Sequence, residues 1–378
     1  MTLRILSIIG TRPEAVKMAP VIQMLTQTPG VESLVCVTAQ HREMLDQVLN
    51  LFNIKPDVDL DLMRPNQSLA QITASIFTEL SPVLTQLEPD WILAQGDTTT
   101  VMATALLAYY HRIKFGHVEA GLRTGDKFQP FPEEVNRRVA SITADLHFAP
   151  TTTSKQNLLK ENIPAEQIVV TGNPVIDALK QVAQTEAPEE IKQLLDELGI
   201  NSVVKSRLLL VTAHRRENFG QPLKNICLAL KALAEAYDDI EIVYPVHLNP
   251  NVQNIVQALL EEVPNITLLP PLDYLPMVHL MKNATLVLTD SGGLQEEAPG
   301  LGIPVLVLRE VTERPEGIAA GTVRLVGTNT AKIIAETMRL LDNPTERMKM
   351  AQAVNPYGDG RAASRIVRAI LEYATIKG

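Results

Sequence analysis

Short, continuous apolar runs alternate along the chain with longer stretches whose apolar residues recur at helical spacing. This alternation predicts an α/β fold built on parallel sheets. In the first half, 3–9, 33–38, 91–95, 115–118 and 146–149 read as strands, with helices filling the gaps. The turn Thr171-Gly172-Asn173-Pro174 is followed by a charged amphipathic stretch, 188–198, and then by a second strand series at 207–213, 240–245, 266–269, 286–289, 304–308 and 323–326. A turn-rich segment, 355–360, precedes a last helix at 362–374.

The two halves open alike. Arg4-Ile5-Leu6-Ser7-Ile8-Ile9-Gly10 leads into Thr11-Arg12-Pro13-Glu14, and Arg207-Leu208-Leu209-Leu210-Val211-Thr212-Ala213 leads into His214-Arg215-Arg216-Glu217. In each, a buried strand ends in a small residue and a cationic loop starts a helix. A chain of 378 residues suits two domains. The expected division is 1–172, 173–360 and a final segment 361–378 that packs back on the first domain. Two doubly wound domains are expected to face each other across a cleft, with the carboxyl-end loops of the strands supplying the site.

The net charge of −9, without a long basic run, argues against nucleic acid or an anionic membrane as partner. Any phosphate site must rest on a few placed cations. Cys36 and Cys227 are far apart and in no metal-binding or disulfide pattern, so reduced cytoplasm is the expected compartment. The apolar run near Met1 is too short for a signal peptide core, and no segment approaches the roughly 20 apolar residues that span a bilayer.

The candidate chemistry lies at strand ends. Thr289-Asp290-Ser291-Gly292-Gly293 follows a strand and starts a helix, leaving backbone N–H groups and the positive helix end aimed at an anion. Ser291, Gly292 and Gly293 are the candidate phosphate cradle. Arg12 and Lys17 flank a helix start with Pro13 in its first turn, where both can approach a bound anion. Asp97 follows the strand at 91–95, where a local role as helix N-cap competes with a role in chemistry. Glu119, at a strand end among small residues, is expected to be partly desolvated and fit for acid or base work. Glu133 and Glu134 form a paired acidic helix start, and His214 sits in a basic strand-end loop. No metal-ligand spacing, Walker loop, GxSxG or GxGxxG at the first strand is present, so neither a metal nor a cofactor is expected.

Together these segments resemble the non-hydrolysing bacterial UDP-N-acetylglucosamine 2-epimerases. The resemblance rests on Gly10-Thr11-Arg12-Pro13-Glu14, Thr38-Ala39-Gln40-His41-Arg42-Glu43, Gln95-Gly96-Asp97-Thr98-Thr99-Thr100, His117-Val118-Glu119-Ala120-Gly121-Leu122-Arg123, Pro132-Glu133-Glu134, His214-Arg215-Arg216-Glu217, Tyr244-Pro245-Val246-His247 and Asp290-Ser291-Gly292-Gly293-Leu294-Gln295-Glu296-Glu297. It implies two Rossmann-like domains of the glycosyltransferase-B-like fold and a likeness in activity, the interconversion of UDP-N-acetylglucosamine and UDP-N-acetylmannosamine for surface-polysaccharide synthesis. It further implies loss of UDP to give 2-acetamidoglucal, then re-addition, with a homodimer as the assembly. By resemblance, Asp97, Glu119, Glu133 and His214 carry the chemistry. Arg12, Lys17, Ser291, Gly292, Gly293, Glu297 and Arg314 match substrate-binding positions. Gln40, His41, Glu134, Arg215 and His247 match a second, activating substrate site of some members, although Glu43 and Asn66 stand where activated members carry Gln and Arg.

Three other readings are separable in principle. A hydrolysing epimerase is expected to carry an Ala where Pro13 and Glu14 follow Gly10-Thr11-Arg12. A retaining glycosyltransferase needs an acceptor site and no set of proton-handling carboxylates. A silent nucleotide-sugar sensor has no need of those carboxylates, and this chain has them all.

Overall fold

The computed structural model describes residues 2–38, 42–64, 66–202 and 206–377. The chain divides into two compact units, Met1–Ala178 with Tyr357–Gly378, and Leu179–Pro356. The first carries β1 (Leu3–Ile9), β2 (Val31–Val37), β3 (Val58–Asp59), β4 (Trp91–Gln95), β5 (Lys114–Val118), β6 (Leu146–Ala149) and β7 (Ile168–Val170). These form one parallel sheet in the order β3-β2-β1-β4-β5-β6-β7. The second carries β8 (Arg207–Thr212), β9 (Ile240–Pro245), β10 (Ile266–Leu269), β11 (Leu286–Thr289), β12 (Val305–Val307) and β13 (Val323–Leu325). Its parallel sheet runs β10-β9-β8-β11-β12-β13.

Both orders are doubly wound, so the winding reverses between β1 and β4 in the first sheet and between β8 and β11 in the second. Ligands of such sheets bind outside the carboxyl ends of the strands at that reversal. The register sets Ile8 beside Ala94 and Thr212 beside Thr289, which brings the loops after β1 and β4, and those after β8 and β11, to these points.

The central strands are covered on both faces by helices and therefore read as continuous apolar runs; Trp91–Gln95 is buried throughout. Strands β3 and β7 escape that pattern. Edge strands need no two-sided apolar cover, and β3 exists only because Cys36 and Val37 of β2 pair with Val58 and Asp59. Helix starts follow local chemistry: Thr11 caps Arg12–Gln27 in a capping box with Glu14. The last helix, Ala362–Lys377, belongs to the first unit. The Asp177 carboxylate accepts from the Ala362 and Ala363 N–H groups at 3.1 and 2.9 Å. Tyr373 meets buried Trp91 edge-on, with ring centroids 5.2 Å apart, a geometry that contributes about 0.5–1.5 kcal/mol beyond area burial. Among the described residues no helix is long and apolar enough to cross a membrane.

Candidate active site

In the first unit the polar groups converge on Glu119, immediately after β5. Its carboxylate accepts from Lys17 Nζ at 2.7 and 2.8 Å, from Asn173 Nδ2 at 2.8 Å and from Gln95 Nε2. Only 7% exposed, it holds φ at 64°, a left-handed conformation costly for a residue with a side chain and characteristic of functional sites. Desolvation alone favours the neutral acid, whereas these donors favour the carboxylate. The convergence joins residues 102 positions apart in the chain. Gln95 and Asn173 were not singled out from the sequence. The available signals were an amide ending a wholly apolar strand and an Asn before Pro174 in a turn.

Asp97 is not the helix cap that its position suggested. Thr98 caps Thr99–His111 through its side chain, accepting from the Val101 N–H, and so leaves the Asp97 carboxylate for other partners. Arg137 Nη2 donates to Asp97 Oδ2 at 2.6 Å, and Asn136 Nδ2 donates to the Asp97 carbonyl at 2.9 Å. Gly96, with φ at 88°, turns the chain between β4 and Asp97.

The paired acids at the start of Glu133–Thr143 separate into two roles. Glu134 is fully buried and accepts from the Thr124 and Gly125 N–H groups and from Arg138, with Arg137 at 3.4 Å. Burial pushes the Glu134 carboxyl up, but the Thr124 N–H, the Arg137 charge, Arg138 and the Gly125 N–H outweigh it and hold the group below its ordinary value. Glu133 instead has a buried oxygen, Oε2, that no hydrogen bond among the described residues satisfies. Arg12 is half-buried in the first turn of its helix. Glu14 points back into the loop after β1, its Oε2 accepting from Gly10 N at 2.5 Å and Thr11 N at 3.1 Å. Burial raises the Glu14 carboxyl to about 7, against hydrogen bonds from Thr98, Gly10 and Thr11 and with a further push from Asp97.

The second unit is organised by a different buried acid. Asp290, directly after β11, is fully buried, and its Oδ2 accepts from the His214 N–H (2.8 Å), the Arg215 N–H (2.8 Å) and Asn218 Nδ2 (2.9 Å). It thereby ties the loop after β8 to the end of β11. Thr212 and Thr289 hydroxyls share a 2.6 Å hydrogen bond beneath it, and Tyr244 donates to the Ala213 carbonyl at 2.7 Å. His214 lies parallel to His247, with centroids 5.4 Å apart. Burial holds the His214 imidazole below its ordinary value, Asp290 opposing and His247 and Arg215 adding to the effect.

The helix Gly292–Gly300 starts at Ser291 without a side-chain cap, so the Ser291 side chain does not take up its first N–H groups. A Cβ at Gly292 or Gly293 would find its nearest neighbours, Arg215 Nη2 and Ser291 Oγ, only at 3.7 and 3.8 Å. The glycines are thus not demanded by protein packing, and they leave room for an approaching group. A guanidinium beside the positive end of a helix is a repulsive arrangement that an anion relieves. Glu297 is half-buried on the same helix. Arg314 pairs with buried Glu296 and begins the helix Pro315–Ala320. Gln40 and His41 lie outside the described residues. Among the described residues no group of three or more His, Cys, Asp or Glu side chains is arranged to hold a metal ion.

Known proteins resemble this chain in sequence and fold along nearly its whole length. A family model described as UDP-N-acetylglucosamine 2-epimerase matches residues 23–371. A UDP-N-acetylglucosamine 2-epimerase of Salmonella typhimurium is 54% identical over 373 residues, covering 98% of this chain and 99% of that protein. The Neisseria meningitidis UDP-GlcNAc 2-epimerase solved with UDP-GlcNAc superposes with a TM-score of 0.89 at 50% identity, over 98% of this chain and 100% of the other. The S. aureus MnaA structure with UDP gives 0.88 at 45% identity, over 99% and 97% of the two chains. The chain therefore belongs to the UDP-N-acetylglucosamine 2-epimerase family.

Proposed function

We propose that this chain interconverts UDP-N-acetylglucosamine and UDP-N-acetylmannosamine by elimination and re-addition of UDP. Carbon 2 of the sugar has no adjacent carbonyl, so its proton is too weakly acidic for direct removal. If the bond from carbon 1 to UDP breaks early, positive charge at the anomeric carbon acidifies the neighbouring C–H. A carboxylate then takes the proton, 2-acetamidoglucal forms, and UDP adds back after a proton reaches the other face. Two faces need two proton-handling groups, drawn from Asp97, Glu119 and Glu133, each contributing about 10²- to 10⁴-fold.

The Glu119 carboxylate carries this reading. Held by Lys17, Gln95 and Asn173 in a strained conformation at a strand's carboxyl end, it has the placement of a reacting group. In the second unit, the open helix start at Ser291, Gly292 and Gly293 and the Arg215 guanidinium suit a leaving diphosphate. Burial holds His214 below its ordinary value, and a bound diphosphate's charge opposes that, which suits a protonated ring donating to the departing oxygen. Arg12 supplies further charge, Glu297 takes the ribose hydroxyls and Arg314 lines the ligand. The product feeds bacterial surface-polysaccharide synthesis in the cytoplasm, where the buried free thiols of Cys36 and Cys227 are at home. A homodimer is supported by Tyr109, Tyr110 and Ile142, which are 67%, 63% and 80% exposed on Thr99–His111 and Glu133–Thr143.

Incubation with UDP-N-acetylglucosamine in D₂O, followed by NMR, is expected to give UDP-N-acetylmannosamine with deuterium at carbon 2. Free sugar and UDP as the products would indicate the hydrolysing reaction. Absence of exchange without an acceptor would overturn the proposal in favour of a transferase or a sensor.

A further inference from the structure

Asp97 and the residue before it are held by three side chains from two elements, the helix Glu133–Thr143 and the strand Lys114–Val118. The Asp97 side chain meets Arg137 at 2.6 Å, its carbonyl accepts from Asn136, and the preceding carbonyl, Gly96 O, lies 2.7 Å from His117 Nε2. A carbonyl oxygen only accepts, so His117 donates to it from Nε2–H, and burial lowers the His117 imidazole to about 4. The backbone at 96–97 is therefore anchored by His117 and Asn136 without Arg137. Among the described residues, what Arg137 alone restrains is the carboxylate.

Arg137 is itself buried, and its other amino group faces Glu134 at 3.4 Å. Glu134 in turn receives the Thr124 and Gly125 N–H groups of the loop that begins just after Glu119. A single guanidinium thus links Asp97 to the segment that follows Glu119. The second link of that chain survives without it, because Arg138 and two backbone N–H groups still satisfy Glu134.

We propose that Arg137 is a positioning residue that aims the Asp97 carboxylate for proton transfer by bridging it to the Glu134-bound loop; this rests on the reading of Asp97 as a proton-handling group. Arg137 is buried, with its guanidinium turned to the Asp97 and Glu134 carboxylates. Its planar fork can address two carboxylates at once, whereas a lysine ammonium at the end of a shorter stem serves only one of them well.

The test compares the intact protein with Arg137→Ala and Arg137→Lys by kcat, KM for UDP-N-acetylglucosamine and deuterium incorporation at carbon 2. Arg137→Ala is expected to lower kcat by about 100-fold with KM changed less than about threefold, as expected for a misplaced reacting group. Millimolar guanidinium is expected to restore about tenfold of that loss while leaving the unaltered protein's rate unchanged, because it refills a cavity of its own shape between two carboxylates. Arg137→Lys is expected to fall between the two and to resist rescue. If Arg137→Ala does not fold, Arg137→Lys carries the test through its kcat loss at constant KM. Unchanged kcat in a folded variant, or a loss that appears in KM and thermal stability and is not rescued, overturns the proposal while leaving the epimerase reading intact. Absence of exchange in the unaltered protein overturns that reading and this proposal with it.

Discussion

The two sheets reverse their winding at equivalent places, and the sequence fills those places with opposite chemistry. At the first reversal, between β1 and β4, the loops gather carboxylates, Glu14, Asp97 and neighbouring Glu119, with their charge met by Lys17 and Arg137. At the second, between β8 and β11, the buried acid Asp290 turns inward to hold the loop, and beside it lie donors: the uncapped helix start, Arg215 and His214. On the proposed function, one architecture therefore serves two tasks, moving protons and holding an anion. The difference lies in which side chains project past the strand ends and which are consumed in holding the turn.

The sharpest way to break this comparison is Glu119→Gln. Carbon-2 deuterium exchange is expected to fall by about 10²- to 10⁴-fold while UDP affinity, measured by calorimetry, changes less than about threefold. Loss of UDP binding would mean that the first unit also holds the anion. Next in size is Gly293→Val, whose Cβ at the helix start meets no protein atom nearer than Ser291 Oγ at 3.8 Å. UDP affinity is expected to drop about 10- to 100-fold, the equivalent of one or two charge-assisted hydrogen bonds, with the melting temperature unchanged. Undiminished affinity would remove the anion cradle from the second unit.

The smallest effect concerns stability. Glu14 ordinarily titrates near 4.5 and is raised to about 7 in the folded protein, so the fold binds its proton more tightly than the unfolded chain does. Its contribution is fully present below about 4.5 and is lost as pH rises to about 7. Glu14→Gln keeps an acceptor for the Gly10 and Thr11 N–H groups and removes the titration. Thermal melts of this variant are expected to vary less with pH between 5 and 8 than those of the unaltered protein, with a relative gain on the order of 1–3 kcal/mol at pH 8. A parallel pH response in both proteins would show that Glu14 is not the titrating group.

The contrast between the halves was only partly legible in the chain. The repeated opening at Arg4 and Arg207 pointed to two similar sheets, and the glycine turn at 291–293 pointed to an anion. Asp97 was ambiguous because a carboxylate before a helix satisfies the local rule for a cap; only the placement of Thr98 one residue later shows that the cap is taken. Glu133 and Glu134 looked equivalent because both favour a helix start. Their different fates follow from the direction each faces once the helix packs, one into the 124–125 backbone and the other with an unsatisfied buried oxygen.

Alone, the sequence determined the α/β class, most of the strands, the strand-end location of the candidate chemistry and the likeness to a family. These are local or periodic properties: a strand covered on both faces must be apolar along its length, and a helix start needs its particular first residues. The tertiary structure decided which partners the acids have. Lys17 reaches Glu119 across 102 positions, and Arg137 reaches Asp97 across 40. Such pairs leave no periodic trace, because they arise from the winding order of the sheet, which sets distant loops side by side only after the strands have paired.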